Sequence, residues 1–179
     1  KTFMREVDRK NNASKVFLFL QGPPNHFARH LADELEQRGH RALRVNLCTG
    51  DFLYWLGRPA KNFRGRLRDW EKYLRDLIVH EGVTHVLYYA DRLPYHRIAI
   101  KLAEEVGLIA VSYEFGYLRP DWITVERRGM SAQSHFPDDP ELIRQIADEA
   151  PEPDLVARYR YPFYLEAINE VVFNLSNFF

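Results

Sequence analysis

Residues 16–20 read VFLFL and are followed by QGPP at 21–24, and this stretch decides the fold. The short apolar run is typical of a strand buried on both faces, and the Gly-Pro-Pro sequence predicts a turn. Apolar residues at every fourth position then predict a helix over 26–38, which Gly39 ends. Ala42–Leu47 reads as the next strand.

The same alternation continues along the chain. It predicts a helix over 64–81, a strand at Thr84–Tyr89, a helix over 94–106 and a strand at Leu108–Val111. Alternating strands and helices indicate an α/β fold, an open and mainly parallel Rossmann-like sheet with helices on both faces. Ligands of such sheets sit at the carboxyl ends of the strands, here the loops 21–25, 48–52, 90–94 and 113–121.

The remaining segments are predicted less regularly. We expect a strand at 122–126, a short helix from Pro140 to about Ala147, and a last helix from about Asp154 that Pro162 kinks or interrupts. This divides the chain into a polar extension (1–15), a Rossmann-like lobe (16–150) and a linker with a crossover helix (151–179). The apolar end at 171–179 suggests a fragment of a longer protein, or else a helix that docks onto its own core.

Composition excludes several classes of protein. The 179 residues carry 25 Lys and Arg against 25 Asp and Glu, which argues against nucleic acid as a partner. No apolar run approaches the roughly 20 residues of a membrane helix. Cys48 is the only cysteine, so no intrachain disulfide can form and a reducing compartment is expected.

The first strand-end loop contains Gln21, Gly22 and Asn25. It lacks the G-x-G-x-x-G phosphate loop, and its two prolines remove backbone donors, which disfavours dinucleotide binding. We expect these three residues to contact an acceptor group near the helix N-terminus. A plain tight turn, with Asn25 as the helix cap, is the open alternative.

Asp91 and Arg92 follow the third strand, with His96 and Arg97 just behind. An acid, an imidazole and two guanidiniums at this position are able to bind an anionic sugar. Alternatively, Asp91 caps the following helix and the arginines are solvated.

The fourth strand leads into Glu114, Gly116 and Arg119, and Glu126 follows nearby. A carboxylate here can serve as base or nucleophile in sugar transfer, and Arg119 can hold a carboxylate or phosphate. Glu114 and Glu126 can also divide the acid and base roles. The alternative is a buried ion pair between Glu114 and Arg119 that only shapes the loop.

Two further features are weaker. His26 and His30 lie four residues apart, but no third ligand is evident, so we expect no metal, and Cys48 reads as a small buried residue. The aromatic run 52–56 precedes a basic stretch. Trp55, Arg64, Arg66 and Arg68 therefore form a candidate surface for an anionic membrane, unless the aromatics are core and the arginines solvated.

Several of these blocks together resemble one family. They are QGP at 21–23, LADELEQRGH at 31–40, Asn46 with GD at 50–51, DR and YH at 91–96, and EFGYLRPDWITVER at 114–127. Over residues 16–137 the chain resembles the bacterial capsule polysaccharide biosynthesis and export proteins. The E-x-G-Y-L-R-P and I-T-x-E block is the specific part, since the L-x-x-x-L-x-x-x-G-H block is shared by many glycosyltransferases. The resemblance departs at Phe115, where an acid is expected before the motif glycine.

The resemblance implies a cytoplasmic glycosyltransferase, peripheral to the inner membrane, that moves 3-deoxy-D-manno-octulosonic acid (Kdo). The implied donor is CMP-Kdo, held mainly by a second lobe, with no other cofactor. The implied acceptor is a phosphatidylglycerol-type lipid or a Kdo-bearing glycolipid. Glu114 and Asp91 would be the catalytic residues. The competing hypothesis is a non-catalytic component that binds glycolipid or proteins of capsule assembly and export. A nucleotide-binding regulator is a third option that no phosphate-loop residue supports.

Overall fold

Six strands form one sheet in the computed structural model, which describes residues 14–116, 121–130, 134, 136–156 and 162–174. Along the chain they are β1 (Val16–Phe19), β2 (Arg41–Asn46), β3 (Lys61–Asn62), β4 (His85–Tyr89), β5 (Ile109–Phe115) and β6 (Ile123–Arg127). Their order across the sheet is β3-β2-β1-β4-β5-β6. The first four pairings are parallel and only β5–β6 is antiparallel, which confirms the predicted mainly parallel α/β sheet.

The helices lie on both faces of this sheet. They are α1 (Phe27–Gln37), α2 (Thr49–Tyr54), α3 (Leu67–Glu81), α4 (Pro94–Glu105), α5 (Pro140–Glu149) and α6 (Phe163–Asn174). One apolar cluster packs α3 and α4 against the sheet through residues such as Leu18, Trp70 and Leu102. A second cluster, which includes Phe19, Ala32 and Trp55, packs α1 against the opposite face. The alternation of Leu18 and Phe19 shows why the first strand must be apolar on both sides.

Glycines end three helices as the sequence predicts. Gly39, Gly82 and Gly107 follow α1, α3 and α4 with φ of +81°, +65° and +74°. These left-handed angles are costly for residues with a Cβ, which explains why each helix stops where it does. Pro94 occupies the first turn of α4, as predicted.

The structure adds to the sequence prediction in one region and corrects it in another. The irregular region 48–63 holds the short helix α2 and the two-residue strand β3. The expected last helix from Asp154 is wrong: residues 151–156 are not helical, and α6 begins at Phe163. Pro162 explains this boundary, since proline has no N–H to donate inside a helix but is accepted at its start.

The last helix docks on the lobe through a small contact. Phe173 is buried against Gly50 and Tyr54 of α2, whereas most other side chains of α6 are exposed. Among the described residues no helix combines the length and apolar character needed to cross a bilayer.

Candidate functional site

The strand order reverses between β1 and β4, and such a reversal is expected to leave a crevice at the carboxyl edge of the sheet. Strand β1 pairs with β2 on one side and with β4 on the other, so the chain leaves the two strand ends in opposite directions. This reversal opens the space in which Rossmann-like proteins bind ligands. The loop 21–25 and residues Ala90–Asp91 border it, as the sequence predicts.

A buried ion pair lies directly beside this crevice. Asp51 pairs with Arg44, and both side chains are almost fully buried. Asp51 Oδ1 also accepts the backbone N–H of Gly22 at 3.2 Å, and its Oδ2 accepts the N–H of Leu47 at 2.9 Å. One carboxylate thereby fixes the loops that follow β1 and β2.

The sequence analysis did not select Arg44 or Asp51 as site residues. A signal was present, because Arg44 is a charged residue within the apolar run Ala42–Leu47. Charged residues are almost never fully buried unless they are paired. An arginine inside a buried strand is therefore expected to pair with a nearby acid, and here that acid is Asp51.

The residues of the loop 21–25 mainly make contacts within the protein that hold the loop in place. Gly22 is buried, and a Cβ added there would stand 3.1 Å from the Tyr113 hydroxyl. Asn25 Oδ1 accepts the N–H of Phe27 at 3.0 Å, but His26 occupies the N-cap position of α1 and no side chain caps that helix, so the interpretation of Asn25 as the helix cap is wrong. Gln21 donates to Cys48 Sγ at 3.7 Å. Gln21 and Asn25 stay half-exposed, so contact with a ligand remains a prediction.

The turn after β4 is strained and holds Asp91. Ala90 has a φ of +55°, which is unusual for a residue with a side chain and is characteristic of functional sites. Asp91 Oδ2 accepts the N–H of Met130 at 3.2 Å. The first residue before α4 is Leu93, and no side chain caps that helix, so the interpretation of Asp91 as a helix cap is wrong. Arg92 and Arg97 are exposed beside it.

His96 was predicted to contact substrate, and the structure corrects this. Its side chain is fully buried on the inner face of α4 with Ala99 and Leu102. Burial lowers the pKa of His96 to about 4, so the imidazole is neutral at pH 7. Its Nδ1 lies 3.0 Å from the carbonyl oxygen of Ala90, which supports the strained turn from below.

Strands β5 and β6 bring the two glutamates onto one face of the sheet. Glu114 lies opposite Thr124 and Glu126 lies opposite Ser112, which makes the glutamates diagonal neighbours about 7–8 Å apart at Cα. Glu126 accepts the hydroxyl of Ser134. The half-buried Glu114 side chain makes no hydrogen bond or ion pair with any residue that the structure describes.

Gly116 ends β5 with a close backbone approach. Its N–H donates to the carbonyl oxygen of Trp122 at 2.6 Å, and a Cβ there would lie 2.7 Å from the carbonyl carbon of Trp122. A glycine is therefore required at position 116. Arg119 lies outside the described residues, so both its ligand role and its pairing with Glu114 stay predictions.

The structure removes Trp55 from the predicted membrane surface. Trp55 is 2% exposed, with the guanidiniums of Arg44 and Arg58 centred 5.3 and 4.9 Å from its ring, so it cannot insert into a bilayer. Arg64, Arg66 and Arg68 are exposed, as that hypothesis requires. Because Trp55 and the segment near Arg64 pack on opposite faces of the sheet, the aromatic run and the basic stretch are separate features.

The structure also describes Cys48 and the pair His26 and His30. Cys48 is buried, and burial and the charge of Asp51 raise the pKa of its thiol to about 12, so it is no nucleophile, as predicted. The rings of His26 and His30 lie 6.1 Å apart. Across the described part of the chain, no group of three or more His, Cys, Asp or Glu is placed to hold a metal ion.

Comparison with known proteins identifies the family of the chain. A model of the capsule polysaccharide biosynthesis protein family matches residues 84–179, slightly more than half of the chain. The chain belongs to this family. It is 34% identical over 136 residues to the capsule polysaccharide export protein KpsS of Escherichia coli, covering 76% of the chain and 35% of KpsS. It is 30% identical over 142 residues to the capsule polysaccharide modification protein LipB of Neisseria meningitidis, in both a serogroup A and a serogroup B strain, covering 75% of the chain and 34% of LipB.

The chain thus spans about a third of the length of these curated relatives. The family match includes Asp91 and Glu114, at the carboxyl ends of β4 and β5, and Glu126 on the antiparallel strand β6. In this capsule biosynthesis chain, the carboxylates are held on a rigid sheet beside a strained turn. Such an arrangement is able to position a hydroxyl group, move a proton, or stabilise a positive charge.

Proposed function

We propose that the chain is part of a glycosyltransferase that moves Kdo from CMP-Kdo to a phosphatidylglycerol-type or Kdo-bearing glycolipid acceptor. One observation carries this proposal beyond the family. Glu114 stands at the carboxyl end of β5, half-buried, with no side-chain partner among the residues described, next to β4, the strand that Asp91 follows. A carboxylate at a ligand-binding edge is the group that sugar transfer needs.

The proposed chemistry begins with loss of CMP. The bond between the anomeric carbon of Kdo and the phosphate oxygen breaks, and CMP leaves with the electron pair. The resulting oxocarbenium-like centre is positively charged, and the Glu114 carboxylate either stabilises it or bonds to it. An acceptor hydroxyl then attacks the same carbon, and its proton goes to Asp91.

The charges around these carboxylates suit an anionic sugar. The exposed guanidiniums of Arg92 and Arg97 lie close behind Asp91 in sequence, and Arg119 follows Glu114. In the proposal, one of them pairs with the Kdo carboxylate or the lipid phosphate. His96 acts indirectly, by supporting the Ala90 turn that carries Asp91.

The experiment uses the full-length product of the gene that encodes this chain. It is incubated with CMP-Kdo and a fluorescent phosphatidylglycerol analogue, and transfer is measured for wild type, Glu114→Gln, Asp91→Asn and the surface control Glu149→Gln. We expect transfer by wild type and the control, and a loss of about 100-fold or more in Glu114→Gln. Equal transfer by Glu114→Gln would keep the reaction but move the chemistry to another carboxylate, of which Glu126 is the next to replace.

A non-catalytic role is the second candidate. The E. coli relative is a capsule polysaccharide export protein, which favours a component that binds glycolipid or proteins of capsule assembly. The same assay distinguishes the two functions. Binding of the glycolipid without any transfer, by a folded full-length protein, would favour the scaffold.

A peripheral location at the inner face of the membrane belongs to the same proposal. The exposed Arg64, Arg66 and Arg68 flank Leu67, which is 40% exposed. Basic side chains around an apolar one are suited to an anionic bilayer surface.

A further inference from the structure

A small cavity opens between α2 and the carboxyl ends of β2 and β3. It has a volume of about 90 Å³ and is lined in part by Asn46, Asn62, Trp55 and Leu56. No residue predicted to contact substrate lines it. A water molecule needs roughly 10–15 Å³ of such space, so the cavity has room for a group of several heavy atoms.

Asn46, one of the residues that line the cavity, has an unsatisfied side-chain amide oxygen. Asn46 is 4% exposed and donates from Nδ2 to Asn62 Oδ1 at 2.9 Å, while its Oδ1 has no hydrogen-bond partner among the described residues. A buried polar atom without a partner is costly, and native proteins satisfy nearly all of them. The amide pair offers an acceptor on Asn46 and a donor on Asn62, side by side.

The cavity lining combines polar and apolar side chains, and its one charged side chain is paired. Phe52 and Leu56 are 47% and 54% exposed at its rim. Arg58 also lines it, but its guanidinium pairs with Asp33 and lies 2.8 Å from Glu36 Oε2. An anionic ligand would therefore lose its hydration without gaining a free cation.

We propose that this cavity binds a neutral vicinal diol, such as two adjacent hydroxyls of an uncharged sugar ring or of a glycerol group. One hydroxyl donates to Asn46 Oδ1 and its neighbour accepts from Asn62 Nδ2. The carbon side of the ligand packs on Phe52 and Leu56. This subsite goes beyond Kdo transfer and does not depend on it, because its chemistry selects against an acidic sugar.

The test is a titration of the 179-residue chain followed by ¹H–¹⁵N NMR. The neutral probes are methyl α-D-glucopyranoside and glycerol, and glucuronate is the anionic probe. We expect saturable shifts of the side-chain amides of Asn46 and Asn62 and of the Trp55 indole N–H, with millimolar affinity for a neutral probe. Stronger binding of the glucoside identifies a sugar as the source of the diol, and stronger binding of glycerol identifies a lipid headgroup.

Matched variants locate the binding. Asn62→Ala removes an exposed hydrogen-bond donor and is expected to weaken binding about fivefold. Leu56→Ala removes a wall of the cavity, whereas Leu53→Ala removes a similarly exposed side chain of α2 that does not line it. We expect only the first of these two leucine variants to weaken binding. No saturable shift with either neutral probe, glucuronate binding as tightly as the glucoside, or equal effects of both leucine variants would overturn the proposal.

Discussion

Asp51 Oδ1 accepts the backbone N–H of Gly22 at 3.2 Å, which joins the loop after β1 to the loop after β2. The same carboxylate pairs with the buried guanidinium of Arg44. Gly22 in turn stands against the Tyr113 hydroxyl of β5. Three strand ends are therefore held together beside the crevice, so the site's geometry depends on a residue that need not touch substrate.

Replacing Asp51 by Asn is expected to destabilise the protein by about 3–5 kcal/mol, because it leaves the Arg44 guanidinium buried without a counter-charge. Urea unfolding followed by circular dichroism measures this loss. The surface variant Asp76→Asn, whose side chain is 66% exposed, should change stability by about 0.5 kcal/mol at most.

A double variant separates the charge effect from simple damage to the core. Arg44→Met together with Asp51→Leu removes both charges and is expected to cost less than Asp51→Asn alone. If the double variant is less stable than the single one, the pair itself, rather than the uncompensated charge, supplies the stability.

The depressed pKa of His96 predicts how stability depends on pH. Burial lowers the pKa of His96 from 6.5 to about 4. Between pH 4 and 6.5, His96 is therefore protonated in the unfolded chain and neutral in the folded protein. Stability contributed by the neutral imidazole is complete above about pH 6.5, falls as the pH drops, and levels off near pH 4. The shift corresponds to about 3 kcal/mol across that window.

His96→Phe keeps a ring in the core but cannot titrate. Unfolding free energies measured at several pH values should therefore be flatter between pH 4 and 6.5 for the variant than for wild type. Asp51 and Arg44 lie close enough to act on His96 and are common to both proteins, so the difference in slope isolates the imidazole. Parallel pH profiles would show that His96 is not the group responsible.

The sheet was predictable because its strands are marked by continuous apolar runs. Strands that are buried on both faces consist mainly of consecutive apolar residues, which are easy to recognise in the sequence. Gly39, Gly82 and Gly107 mark the helix ends. The strand-end positions of Asp91 and Glu114 follow from the same pattern, since a parallel sheet collects its loops at one edge.

Side-chain direction was harder to predict than strand position. Trp55 follows a short helix and packs with Ala28 and Ala32 of α1, which no local pattern reveals, so its burial was only one of two alternatives. His96 was placed by its neighbours Asp91 and Arg92, although its helical spacing with Ala99 and Ala103 indicated the buried face. Pairing of Arg44 with Asp51 depends on tertiary contact, which periodicity does not encode.

The contact between Gly50 and Phe173 predicts a strong coupling between α2 and α6. A Cβ on Gly50 would overlap the Phe173 ring, so Gly50→Ala is expected to displace the helix and to cost about 1–3 kcal/mol. Hydrogen exchange of the amides in α6 measures the displacement. Asn169, which donates to the carbonyl oxygen of Pro24 at 2.8 Å, should lose protection with it.

A double-mutant cycle tests whether this overlap is the cause. Phe173→Ala removes the ring and is expected to cost about 3 kcal/mol by itself. In that background the alanine at position 50 has space, so its added cost should fall to a few tenths of a kcal/mol. Additive costs would contradict the packing of α6 on α2.

The basic stretch after β3 predicts binding to anionic vesicles. Reversing Arg64, Arg66 and Arg68 to Glu removes three charges that each contribute about 1 kcal/mol near an anionic surface, so affinity should fall at least about 100-fold. Flotation of the full-length protein with phosphatidylglycerol-containing liposomes measures this at low and at physiological salt. A control with Arg38, Lys72 and Lys101 reversed carries the same net charge but alters exposed cations that already face an acid one turn away. The control should bind as wild type does, and equal losses in both triple variants would show that net charge, not this stretch, governs binding.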